Sequence, residues 1–256
     1  MESLQSFETN LESHPEQPEQ KEFFEISPEN NEEHFITELK ALVEGREIFP
    51  TKEVLEGIIA NTIQENLKEV ASLLLSNEKR INESTIARGD TFNGQGIGQS
   101  IATNDTDNPL VQVVIAKGTR EFTNIFKGET EFIPLEEDDN GEKYNTTVIH
   151  ELLHSFTTYI TSAYAHQREE LLNDLENTFY ANVLTLHKKF LEKNTTNEAY
   201  LDSLNEYIVK AMSSNMADMG MFDKEQYNAV FKEFKTLYME NPRHIQSISE
   251  YLKEKN

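Results

Sequence analysis

Cysteine is absent from this chain. Disulfides are therefore excluded, and so is every zinc site with thiolate ligands, structural zinc fingers among them. Any metal site in this protein has to be built from His, Glu and Asp. Basic residues are scarce as well: 23 Lys plus Arg stand against 46 Asp plus Glu, a formal net charge of -23. A surface this acidic repels phosphate backbones, so nucleic-acid binding is not expected, and solubility is the simplest role for the charge. No apolar run approaches the ~20 residues that a bilayer requires. The N-terminus has no basic segment followed by an apolar one, the mark of a secretory signal. The expected location is the cytosol by default, with no membrane partner. Export without a signal, or packaging in a particle, stays open.

What is present is enough for one sizeable core. The chain has 256 residues and is 37% hydrophobic, which permits one core or one domain with accessories. Its organising stretch is Val148-Ile149-His150-Glu151-Leu152-Leu153-His154-Ser155-Phe156. On a helix, residues four apart share a face, so His150 and His154 can offer two imidazoles to one metal ion. Glu151 beside them is placed to deprotonate a water activated by that metal. Val148, Ile149, Leu152, Leu153 and Phe156 would bury the rest of the helix, as a rigid support for a site requires. The bland alternative is an amphipathic helix with two surface histidines. The apolar circumference and a downstream carboxylate weigh against it.

Taken in order, residues 1–33 hold ten Asp/Glu, one Lys, and prolines Pro15, Pro18 and Pro28. That composition reads as a disordered acidic tail, with Phe23-Phe24-Glu25-Ile26 as an alternative docking segment. Residues 34–85 read as an N-terminal helical layer. Phe35, Ile36, Leu39, Leu42 and Val43 recur at helical spacing up to Gly45, a suitable helix end. A second helix, capped by Thr51, is predicted to run to about Asn77. Residues 88–106, with Gly89, Gly94, Gly96 and Gly98, read as a glycine-rich turn or hairpin, lacking the Lys and context of a phosphate-binding P-loop. Leu110–Ala116 reads as a well-buried strand, and 122–126 and 130–133 as shorter strands around a turn. The acidic loop 136–140 lacks the spacing of an EF-hand and reads as solvated.

The metal helix is predicted from about Asn145 to Tyr164. Helix follows through Gln167–Lys193, then Glu198–Ser213, a loop over 214–223, and helices over Lys224–Met239 and Pro242–Glu254. His166 and His187 read as surface or capped histidines rather than ligands. The whole is an α+β chain, mostly helical, with a small mixed β-sheet ahead of the H-E-x-x-H helix.

A catalytic metal of this kind takes three protein ligands and one water. Ile160 and Thr157 stand where a metzincin has His and Gly, which excludes that pattern. A carboxylate from a later helix remains, and two candidates stand open: Asp174 and Glu206. Glu206 lies on an otherwise apolar helical face with Ile208, Val209, Ala211 and Met212, where a lone carboxylate is costly and a cation would compensate it.

His150-Glu151-Leu152-Leu153-His154 followed by Asn205-Glu206-Tyr207-Ile208-Val209-Lys210-Ala211-Met212-Ser213-Ser214-Asn215 resembles a gluzincin-type metallopeptidase domain. The likeness is to H-E-x-x-H domains carried by bacteriophage and mobile-element proteins, and it covers roughly residues 86–222. The sequence departs from that pattern at Lys210, where a second Glu is usual, and in lacking a Pro after Asn215. The resemblance implies a zincin-like domain over residues 86–256 and Glu206, rather than Asp174, as third ligand of a Zn²⁺ ion. It implies peptide hydrolysis with Glu151 as general base and a protein or peptide as substrate. Tyr207, His166 and Tyr159 are then the candidates for a donor to the oxyanion. By the same resemblance Leu110–Ala116 corresponds to the edge strand that pairs with an extended peptide. A non-catalytic zincin-scaffold interaction protein, docking a partner through its groove or acidic tail, is the rival reading. A plain helical protein with a coincidental motif is a third. Oligomeric state is not legible in the sequence.

Overall fold

The computed structural model describes residues 37, 40–41, 44–88, 98–102, 110–116, 119–124, 129–134, 141–193, 203–213, 224–241, 245–246 and 253. The acidic tail with its Phe23–Ile26 segment, residues 89–97 of the glycine-rich passage, the acidic loop 136–140 and the loop 214–223 lie outside them. Thr37, Lys40 and Ala41 are helical. Gly45 follows at φ 73°, the left-handed backbone with which glycine ends a helix without strain.

Strand β1 (Glu47–Pro50) leads into helix α1 (Thr51–Asn61) and then helix α2 (Glu65–Leu75). The apolar spacing predicts one helix here; the structure has two. Thr62 is extended, with φ -68° and ψ 143°, and the break is held from a distance by Glu142. That carboxylate accepts from the Thr62 hydroxyl, from the Ile63 N–H at 2.8 Å and from the Gln64 side-chain amide at 3.0 Å. Thr51 is the first helical residue rather than the cap. Its hydroxyl donates to the Ser84 carbonyl and accepts from the Ser84 hydroxyl. A short helix that the sequence reading passes over, α3 (Glu78–Glu83), starts at Asn77, whose side chain accepts from the Arg80 N–H.

The sheet is mixed. Strands β2 (Thr85–Arg88), β3 (Gly98–Ala102) and β4 (Leu110–Ala116) join β1 in the order β1-β2-β4-β3. β2 and β4 are parallel; the other two pairings are antiparallel. β4 is therefore an interior strand, not the edge strand that the resemblance implies, and among the described residues β1 and β3 form the edges. β2 and β3, the strands on either side of residues 89–97, do not pair with each other but both pair with β4, so they do not form the hairpin expected of the glycine-rich passage. β3 and β4 pack against the metal helix. β5 (Thr119–Asn124) and β6 (Glu129–Pro134) form a separate antiparallel pair. Near the C-terminus, Ile245–Gln246 is a two-residue strand, β7, pairing in parallel with Leu110 and Val111. The predicted helix over Pro242–Glu254 is interrupted there: Ile245 and Gln246 pair with Leu110 and Val111, the two residues of β4 that neither β2 nor β3 reaches.

Helix α4 (Glu142–Ala165) is the central element. Gly141 enters it at φ 81°, and Glu142 places its charge in the first turn, near the positive end of the helix dipole. Its apolar residues from Val148 to Ile160 are almost fully buried. A 3₁₀ turn (Glu169–Leu171) leads to helix α5 (Asp174–Lys193), followed by helices α6 (Leu204–Ser213) and α7 (Lys224–Glu240). α5 starts with a reciprocal cap: the Glu176 N–H donates to Asn173 Oδ1, and the Asn173 N–H donates to Glu176 Oε2, both at 3.0 Å. One hydrophobic core runs through α1 to α7 and β2, from Leu55 and Leu67 to Phe234 and Tyr238. Phe156 meets the Tyr238 ring edge-on at a centroid distance of 5.0 Å. Each such side chain contributes roughly 1.5–3 kcal/mol on burial, which fixes α4 against β3, β4, α2 and α6.

Candidate metal centre

Two helices make the site. On α4, His150 and His154 stand one turn apart, with ring centroids 4.5 Å apart and edge to face. Their Nε2 atoms lie 2.8 Å from each other. From α6, Glu206 sends one carboxylate oxygen to 3.6 Å from His150 Nε2 and the other to 3.3 Å from His154 Nε2. The three residues can hold a metal ion, one ligand atom each, all within 4.8 Å of one another. A tetrahedral cation with N and O bonds of about 2.0–2.1 Å holds its ligand atoms about 3.3 Å apart, and the Glu206 oxygen nearest His154 Nε2 lies at that distance. Two imidazole nitrogens and a carboxylate oxygen also form a donor set suited to a borderline divalent ion.

Burial grades across the group. The side chain of His154 is 2% exposed, that of His150 12% and that of Glu206 20%, so the site opens on the Glu206 and His150 side. Glu151 is buried on the same turn of α4 as the histidines. Asp174, the other candidate ligand, is exposed in the first turn of α5 and is not part of the group. The sequence left the pair open; packing separates them.

The packing that presents Glu206 is polar as well as apolar. Asn205, its chain neighbour, places its amide between two hydroxyls of α4: Thr157 donates to Asn205 Oδ1 at 2.7 Å, and Asn205 Nδ2 donates to Thr158 Oγ1 at 3.0 Å. At the other end of α6, the buried Ser213 hydroxyl lies 3.4 Å from His150 Nδ1. Metal-binding histidines are commonly oriented through their second ring nitrogen in this way. Ser213 follows Glu206 by seven residues, two helical turns, so helical spacing alone could have put both on one face. Asn205 carried no comparable signal.

None of the three candidate oxyanion donors is aimed at this group. Tyr159 donates its hydroxyl to Glu176 inside a buried network. Tyr207 is fully buried, its ring 4.8 Å from His187 and 5.2 Å from Phe190, on the α5 side of α6. His166 is exposed at the end of α4, beside Ser162, about 18 Å along the axis from His154 at 1.5 Å per residue. His187 is 4% exposed, a core histidine under Tyr207 and Phe190, where the sequence predicts a surface or capped one.

A buried carboxylate that the sequence reading passes over is Glu176, with 0% exposure. Its Oε1 accepts from Tyr159 and from Asn241 Nδ2 at 2.6 Å. Arg80 donates to the Asn241 carbonyl and lies over the rings of Phe156 and Tyr238. This network ties the C-terminal half of α4 to α3, α5 and the end of α7.

Comparison with protein-family models, curated proteins and solved structures finds no match to the chain.

Proposed function

We propose that the protein is a zinc-dependent metallopeptidase with a gluzincin-like site, in which His150, His154 and Glu206 hold Zn²⁺ and Glu151 is the general base. The observation that carries this reading is the convergence of Glu206 on His150 and His154. The ligand atoms come from two helices, with His154 and Glu206 52 residues apart in the chain, and lie within 4.8 Å of one another. Bound there, zinc would polarise a carbonyl and lower the pKa of water towards about 7. The chain's own part is to hold, orient and move protons. Glu151 takes a proton from the attacking water and passes it to the leaving amine. Ser213 and the Asn205 clamp fix the ligands, so that little reorganisation accompanies the reaction.

β3 takes over the role that the resemblance gives to Leu110–Ala116. It is an edge of the sheet among the described residues and packs against α4, which suits pairing with an extended peptide. The protein class of the resemblance, bacteriophage and mobile-element metallopeptidases, is part of the same proposal. The test is hydrolysis of a peptide library by zinc-loaded wild type and zinc-loaded Glu151→Gln protein. Cleavage by the first and a loss of at least ~10²-fold in the second supports catalysis. Zinc in both with cleavage by neither points instead to a non-catalytic scaffold.

A further inference from the structure

We draw no further inference here: the strongest candidate, the C-terminal strand β7, whose Ile245 and Gln246 pair with Leu110 and Val111 of β4 just after the buried anchor at Asn241, carries nothing, because nothing in the structure shows what its release would open or what would take its place.

Discussion

Asn205 Oδ1 lies 2.7 Å from the hydroxyl of Thr157, and this contact joins the two helices whose side chains make the metal group. Asn205 precedes Glu206, and Thr157 follows His154 by three residues, so the clamp sits beside both contributions. Asn205→Ala should weaken zinc binding about 10–100-fold, as loss of a ligand-orienting partner does. The stability cost should be near the lower end of about 1–3 kcal/mol, since the Thr157 hydroxyl keeps the Leu153 carbonyl within 3.2 Å. Chelator competition measures the first and urea unfolding the second. In a double-mutant cycle, Asn205→Ala and Thr157→Val should be less than additive.

Glu176 calls for a different outcome. Its carboxylate is fully buried and accepts from Tyr159, Asn241 and the Asn173 N–H. Glu176→Gln puts an amide N–H₂ against one of those donors and should cost about 1–3 kcal/mol. The urea midpoint should fall with its slope unchanged, while zinc stoichiometry in the folded protein stays the same, because the network includes neither the three ligands nor the Asn205 clamp.

Alkaline pH should destabilise the fold through Tyr238. Burial pushes its hydroxyl well above the ordinary tyrosine range, with Arg80 nearby opposing the shift. The folded state therefore keeps a proton that the unfolded state loses near pH 10. The contribution of Tyr238 is fully present below that pH and is lost as pH rises through and beyond it. Unfolding midpoints measured from pH 8 to about pH 11 should fall at the upper end. Tyr238→Phe should show a shallower fall, from a starting point lowered by the lost hydrogen bond to the Leu74 carbonyl.

Much of this arrangement was legible in the chain, and the limits have physical causes. The H-E-x-x-H helix was readable because helical spacing is local: four residues between His150 and His154 fix a common face. Glu206 was recognisable as a candidate but not separable from Asp174 by its residues alone, since the choice depends on how α6 crosses α4. The break at Thr62 was hidden because the carboxylate that holds it, Glu142, lies 80 residues away. The strand Leu110–Ala116 was found, yet its place in the sheet was not, because pairing partners on both sides are long-range. Tyr207 and Tyr159 looked available because adjacency to a ligand or to the motif does not say which way a ring packs.

The central claim is most directly tested by metal content, measured by plasma mass spectrometry on purified wild-type, His154→Ala, Glu206→Ala and Asp174→Ala proteins after addition and removal of excess zinc. The site described here predicts near-stoichiometric zinc in wild type and Asp174→Ala, and loss of it in His154→Ala and Glu206→Ala. Wild-type protein that retains no metal after zinc is supplied, or zinc that persists without Glu206, would contradict it.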